Sequence, residues 1–285
     1  MKLKQVWMGS QCRLAVESPA GWVDVAAESA RRGITAPVTM LEAIRAGEEG
    51  MAVLKQLTED PRCFTDAPTA PAVTGGEKIL CIGFNYRRHI KEFNVALPTA
   101  PTPFNKFPDA LAADGDCVYL DPRYVEYDYE AELVAVIGKT ARNVSEEDAL
   151  DYVFGYTCGN DLSTRDLQFA RTNQWLLSKT FDGFAPLGPC VVTADCIDPD
   201  NLNISSVVNG ELRQNSNTSY MVFSTAKIIA DLSSHFTLKP GDVIFTGTPE
   251  GVMKGYPEDQ KNWLKPGDSV DVTIENIGTL HTTFR

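Results

Sequence analysis

Glu130 and Glu132 stand two residues apart at the head of the apolar run Leu133–Ile137. A β-strand repeats every two residues, so both carboxylates fall on one face, and Glu126 and Asp128 continue that face if the strand extends backwards. The Leu-Val-Ala-Val-Ile sequel implies burial on both faces. Like charges beside such a run are costly unless something neutralises them. A divalent cation would do so; the other reading is an exposed edge with solvated acids. Asp161, in GYTCGNDLSTRDLQ, offers a third oxygen, though it also suits an Asx turn or a helix N-cap. Three carboxylates without His or Cys suit Mg²⁺, Mn²⁺ or Ca²⁺ rather than Zn²⁺ or copper.

His89 lies three residues before Glu92 in YRRHIKEF. On a helix these positions share a face. A carboxylate there holds an imidazole in one tautomer and raises its basicity. The competing reading is a surface histidine among Arg87, Arg88 and Lys91. Lys179, in LSKTFDGFAPLGP, is placed to meet an anionic substrate or to be a solvated loop lysine. Thr248, in FTGTPEG, sits between glycine-bearing turns where backbone N–H groups and a hydroxyl can hold a carboxylate, or where a hairpin needs a threonine. Of the other two histidines, His235 reads as structural and His281 as exposed.

The elements that must position these groups fall into two parts. Residues 1–75 give short strands (MKLKQVWM, RLAVES, GWVDVA), a glycine-interrupted helix (MLEAIRAGEEGMAVLKQL) and a Pro/Thr/Gly-rich linker with a boundary near Gly76. Residues 76–285 are β-rich. KILCIGFN reads as a strand running into a turn, RRHIKEFNVA as a short helical lid, and YEAELVAVIGK as a buried strand. SEEDALDYVFGY reads as a helix with Ser145 as N-cap. CVVTADC, ISSVVNG, DVIFTGTP and SVDVTIENIG alternate like sheet strands, and two K-P-G-D turns, Lys239–Asp242 and Lys265–Asp268, each lead into a strand. The expected fold is α+β and mostly β, a closed or rolled sheet with a small N-terminal α/β extension. There is no β-α-β rhythm and no Gly-rich phosphate motif, so dinucleotide and P-loop readings fail.

The chain of 285 residues is 43% apolar and 22% charged, which argues against disorder and coiled coil. No apolar run approaches the ~18 residues needed to cross a bilayer. With 26 basic and 38 acidic residues the net charge is −12, which disfavours nucleic-acid binding. The start, MKLKQVWMGSQCRLAV, does not read as a signal peptide. Seven cysteines without a CxxC pair read as reduced thiols of a cytoplasmic protein.

The segments KILCIGFNYRRHIKEF, PFNKFPDAL, YEAELVAVIGK, GYTCGNDLSTRDLQ, SKTFDGFAPLGP, VNGELRQNSNT, LKPGDVIFTGTPEGV and LKPGDSVDVTIENIGTL, in this order, resemble the fumarylacetoacetate hydrolase family over about residues 78 to 285. Within it the chain looks like the bacterial branch of acylpyruvate hydrolases and hydroxyheptadienedioate isomerases. The resemblance implies a β-roll catalytic domain and a homodimer. It implies Mg²⁺ or Mn²⁺ on Glu130, Glu132 and Asp161, a lid dyad of His89 and Glu92, a pocket lysine at Lys179, and substrate contacts from Arg165, Gln168 and Thr248. Ser178 departs from the family pattern, in which many members have glycine before the lysine.

The chemistry this implies is a metal–enolate site for a 2-oxo acid. C–C hydrolysis of an acylpyruvate-type 2,4-dioxo acid comes first, because water activation needs an intact His–Glu pair. Oxaloacetate decarboxylation and isomerisation of an unsaturated 2-oxo dicarboxylate are the alternatives on the same site. Specificity is expected in 93–102, in NQWLLS and in GVMKGYPEDQKNW, with Met253, Tyr256 and Trp263 as a possible apolar wall or as core.

Overall fold

The computed structural model describes residues 1–170 and 174–285. Along the chain the strands β1 (Lys2–Met8), β2 (Gln11–Ser18) and β3 (Gly21–Asp24) precede two helices, α1 (Val25–Arg32) and α2 (Met40–Leu57). The Thr39 hydroxyl accepts from the Glu42 N–H and the Glu42 carboxylate from the Thr39 N–H, a capping box that starts α2. The expected interruption is real: Gly47 takes φ 56°, ψ −142° inside it. Then come β4 (Ile79–Gly83), α3 (Arg87–Glu92), β5 (Thr102–Lys106), β6 (Leu111–Ala112), β7 (Cys117–Val118), β8 (Tyr127–Asp128), β9 (Ala131–Ile137), β10 (Val153–Asn160) and β11 (Ser163–Thr164). Short helices α4 (Arg165–Gln168) and α5 (Leu176–Lys179) follow. The chain closes with β12 (Ala185–Thr193), β13 (Asn203–Val208), β14 (Glu211–Asn217), α6 (Thr225–His235), β15 (Val243–Phe245), β16 (Ser269–Ile274) and β17 (Gly278–Phe284).

The main sheet runs β3-β2-β1-β12-β10-β9-β15-β4-β5, with β6 paired to β12. A second sheet runs β14-β13-β16-β17-β7, and β11 pairs β8. The main sheet crosses the expected boundary near residue 76, because β1 pairs antiparallel with β12 (Lys2↔Val192, Leu3↔Val191). Strand β9 is buried on both faces: Leu133, Ala135 and Ile137 enter one core, Val134 and Val136 the other. This is what its unbroken apolar run dictates.

Both K-P-G-D segments form turns. Gly241 and Gly267 adopt φ 91° and 92°, and each aspartate accepts the N–H of its own lysine, Asp242 from Lys239 at 2.8 Å and Asp268 from Lys265 at 2.9 Å. One expectation fails. SEEDALDYVFGY makes no α-helix: Ser145 and Asp148 do exchange hydrogen bonds, but only a 3-10 turn at Ala149–Tyr152 follows, and β10 begins at Val153. The aromatic and β-branched run Val-Phe-Gly-Tyr at 153–156 pairs with β9, and sheet pairing overrides the cap.

Candidate active site

The acids are assembled by strand register. Strand β10 runs antiparallel to β9 with Asn160 opposite Ala131, so the next residue, Asp161, lies opposite Glu130. The Asp161 N–H donates to the Glu130 carbonyl at 2.9 Å. Glu130, Glu132 and Asp161 are all buried, and one carboxylate oxygen from each lies within 4.8 Å of the others. Asp128 does not extend this cluster. It belongs to β8, is fully buried, and accepts from Arg165 Nε at 2.9 Å.

Three basic groups answer four buried acids. Lys179 Nζ donates to Glu130 Oε2 at 2.7 Å and to Asp161 Oδ2 at 2.9 Å. Arg165 spans Asp128 and Glu130, and Lys106 pairs with Asp161. Among the described residues no basic side chain pairs with Glu132, whose Oε2 accepts only the Gly247 N–H at 2.7 Å. Burial, then repulsion by Asp161 and Glu130, pushes the Glu132 carboxyl well above the usual range. Burial acts the same way on Glu130, but Lys179 and Arg165 outweigh it and hold that carboxyl at about 2. An oxygen-only cluster that lacks positive charge at one member fits a divalent cation.

Above the acids lies α3. His89 Nδ1 and Glu92 Oε2 are 3.0 Å apart, and Glu92 Oε1 accepts the Gly251 N–H at 3.1 Å. Phe84, at the end of β4, takes φ 53°, an unusual conformation for a bulky residue. Its ring stacks on His89 with centroids 5.9 Å apart. A Cβ on Gly255 would lie 2.0 Å from Glu92 Oε1 and 2.1 Å from its Cδ. Gly255 thus leaves room for the glutamate. Gly255→Ala should push Glu92 off His89 and cut turnover by about 10²-fold. The melting temperature should barely change, because a flexible side-chain end can yield. Turnover at the parental level would break this link.

A small cavity brings His89, Glu130, Glu132, Lys179, Arg165, Gln168 and Thr248 together, with Phe84, Phe93, Phe104, Phe169 and Trp175 as its aromatic wall. Arg165 is already engaged: besides its two acids, Nη1 donates to Gln168 Oε1 at 2.8 Å. This turns the Gln168 amide so that its NH₂ is not the group facing Arg165. Thr248 Oγ1 donates to the Ala131 carbonyl at 2.9 Å and accepts from Gln214 Nε2 at 2.8 Å. Ser178, the departure from the family pattern, donates to the Trp175 carbonyl at 2.7 Å and leaves Lys179 in the cluster. Met253 is core, and Tyr256 and Trp263 pack against the core rather than lining the cavity. Of the 173–178 segment, Asn173 lies outside the described residues. His235 ends α6 with Nδ1 2.9 Å from the Asp231 carbonyl, and His281 is exposed beside Asp271.

Sequence reasoning passed over Lys106 and Phe84, reached Trp175 only within the NQWLLS segment expected to set specificity, and gave Asp128 the wrong neighbours. Lys106 is one residue of a polar-aromatic strand, PFNKF, with nothing in its type to mark it. Its side chain is fully buried, pairing with Asp161 and donating to the Leu162 carbonyl at 3.2 Å and to that of Phe184. Lys106→Met should cost about 3–5 kcal/mol in urea unfolding, because Asp161 and two carbonyls lose a buried partner. A loss below ~1 kcal/mol would mean that this pair is not structurally important.

A family model described as fumarylacetoacetate (FAA) hydrolase C-terminal matches residues 78–285. The chain belongs to the fumarylacetoacetate hydrolase family. Among curated relatives, the mitochondrial oxaloacetate tautomerase fahd2 of Xenopus laevis is 44% identical over 249 residues, covering 86% of this chain and 77% of its own. The human mitochondrial oxaloacetate tautomerase FAHD2A is 43% identical over 253 residues, with 86% and 79% covered. Among solved structures, a putative HpcE protein from Mycobacterium smegmatis aligns with TM-score 0.86 at 32% identity over 100% of this chain and 99% of its own. Maleylpyruvate hydrolase from Sphingobium sp. SYK-6, in complex with manganese(II) and pyruvate, aligns with TM-score 0.79 at 29% identity over 100% and 98%. The mostly β, multi-sheet fold is that of the family. The manganese in that relative and the buried acidic cluster here agree on a divalent metal as cofactor. No helix of the described residues is long and apolar enough to cross a membrane.

Proposed function

We propose that this chain is a divalent-metal-dependent tautomerase of a short 2-oxo dicarboxylic acid, interconverting the enol and keto forms of oxaloacetate. The observation that carries this reading is that His89, paired through Nδ1 with Glu92, lines the same cavity as Glu130 and Glu132 of the buried acidic cluster. Glu130, Glu132 and Asp161 would hold a Mg²⁺ or Mn²⁺ ion, which would supply the Lewis acidity that makes the C3 hydrogens of a 2-oxo acid removable. His89, its Nδ1–H held by Glu92, presents Nε2 to carry the proton between C3 and the enol oxygen, taking it from one and delivering it to the other. Lys179 and Gln168 supply N–H donors for the substrate's oxygens, and Thr248 holds the adjoining backbone. The free space is about 20 Å³, near that of one water, so the cavity must widen to admit a substrate. The names of the 44% and 43% identical relatives, mitochondrial oxaloacetate tautomerases, favour oxaloacetate over an acylpyruvate.

C–C hydrolysis of an acylpyruvate or maleylpyruvate is the second reading. It is favoured by the same dyad, which can activate water, and by the maleylpyruvate hydrolase likeness. The test uses metal-stripped protein with Mn²⁺ or Mg²⁺ restored. Enol-oxaloacetate is followed by its ultraviolet absorbance, and pyruvate is assayed in parallel with oxaloacetate and with acetylpyruvate. Metal-dependent ketonisation without pyruvate supports the tautomerase. Pyruvate from acetylpyruvate moves the reading to hydrolase, and pyruvate from oxaloacetate to decarboxylase. A homodimer, acting on small molecules rather than on nucleic acid or membrane, completes the proposal; light scattering of the purified chain checks the dimer.

A further inference from the structure

The metal cluster and the dyad come from distant parts of the chain, and one buried carboxylate touches the support of both. Asp128 Oδ1 accepts the Tyr129 N–H at 2.9 Å and the Met253 N–H at 2.7 Å; its Oδ2 accepts the Lys254 N–H at 3.0 Å and Arg165 Nε at 2.9 Å. On one side, Arg165 carries this contact to Glu130 Oε1 through Nη2. On the other, Met253 and Lys254 belong to the segment that seats Glu92. The Gly251 N–H donates to Glu92 Oε1, and Gly255 leaves the space that Glu92 fills. The Tyr129 hydroxyl adds a bond to the Gly251 carbonyl at 2.9 Å. A continuous path of hydrogen bonds and backbone therefore runs from His89 through Glu92, residues 251–254, Asp128 and Arg165 to Glu130.

We propose that Asp128 is a positioning residue that fixes the His89–Glu92 dyad and the metal-binding Glu130 relative to each other. No other acid among the described residues bonds both to Arg165 and to the backbone of residues 251–255. Its four bonds are made by three N–H groups and a guanidinium, all donors, so an anion with two oxygens is required. An amide of the same shape would set an NH₂ against at least one of them. The loss then falls on two sites at once: Glu130 loses the held guanidinium, and the seat of Glu92 loses its anchor. The proposal shares the metal site and dyad of the reading above, but it does not depend on which 2-oxo acid is turned over.

The test needs no substrate. Mn²⁺ affinity of the full chain is measured by electron spin resonance titration. The His89 imidazole ¹⁵N shifts are read in the Mg²⁺-loaded protein, where only three histidines compete. Asp128→Asn should weaken Mn²⁺ binding by about 10–100-fold and should also replace the fixed Nδ1–H tautomer of His89 by an average of two. Arg165→Lys should reproduce the first effect alone, and Gly255→Ala the second alone. Asp128→Glu, which keeps the charge but moves it by one methylene, should show both effects and serves if the asparagine variant does not fold. A purely structural role would lower the melting temperature and leave both readouts unchanged, which overturns the proposal. So does weakened Mn²⁺ binding with parental His89 shifts, since Asp128 would then serve Arg165 alone.

Discussion

His89→Ala should lower turnover by about 10²–10⁴-fold, the usual worth of a positioned acid–base group, while Mn²⁺ affinity stays near the parental value. The reason is a division of labour. His89 pairs with Glu92 and packs against Phe84 and Phe93, with ring centroids at 5.9 and 4.8 Å. The cluster that holds a cation is held instead by Lys179, Arg165 and Lys106. Removing the imidazole takes away proton transfer and leaves those pairs in place. Glu92→Gln should cost less, because the amide oxygen can still accept from Nδ1–H but no longer stabilises the imidazolium. The measurement is steady-state turnover of the substrate found above, beside a Mn²⁺ titration. Parental turnover in His89→Ala would remove the dyad from the mechanism, and lost Mn²⁺ binding would place His89 in the metal site instead.

The second large effect concerns Glu132. In metal-free protein its carboxyl is pushed well above the usual range, first by burial and then by Asp161 and Glu130. The native state therefore keeps a proton that the unfolded chain gives up near pH ~4.3. Stability linked to this group is full below that pH and is lost as the pH rises through the native value. Glu130, held at about 2, works in the opposite sense and in another window. Its contribution is present above pH ~4.3 and is lost as the pH falls toward 2. Glu132→Gln should therefore make the metal-stripped protein more stable than the stripped parent at pH 8. Each unit of upward shift removed is worth ~1.4 kcal/mol. The same variant should lose the Mn²⁺-induced rise in melting temperature. Scanning calorimetry from pH 5 to 9, with chelator and with Mn²⁺, reads both. Identical pH profiles for parent and variant would acquit Glu132 as the titrating acid. An undiminished Mn²⁺ response would remove it from the ligand set.

Much of the site was legible because strand periodicity is local. Two glutamates at spacing two must share a face, and an unbroken apolar sequel must be buried, so Glu130 and Glu132 could be read as charges needing a cation. The His89–Glu92 spacing was legible for the same reason, since one helical turn brings i and i+3 together. The segment 145–156 was misread because its N-cap signal is also local, and the competing signal, pairing of β10 with β9, is not. Asp128 was misplaced by extending the strand period past the break at residues 129–130, where the chain leaves β8 for β9.

The sequence by itself determined the family, the β-rich architecture, the chemistry of an oxygen-only metal cluster and the identity of the dyad. The strand pattern and the Glu130–Glu132 and His89–Glu92 spacings follow from residue type and short spacings, whereas the family follows from eight segments that resemble it in order along residues 78–285. Tertiary structure alone decided that Lys106, which has Asp109, Asp114 and Asp116 far nearer along the chain, is buried against Asp161. It alone decided that Arg165 is engaged by Asp128, Glu130 and Gln168, and that Gly255 is needed because Glu92 fills the space beside it. Such facts depend on which strands become neighbours and in what register. That is set by burying two apolar faces of β9 at once, a condition on the whole chain that no short segment expresses.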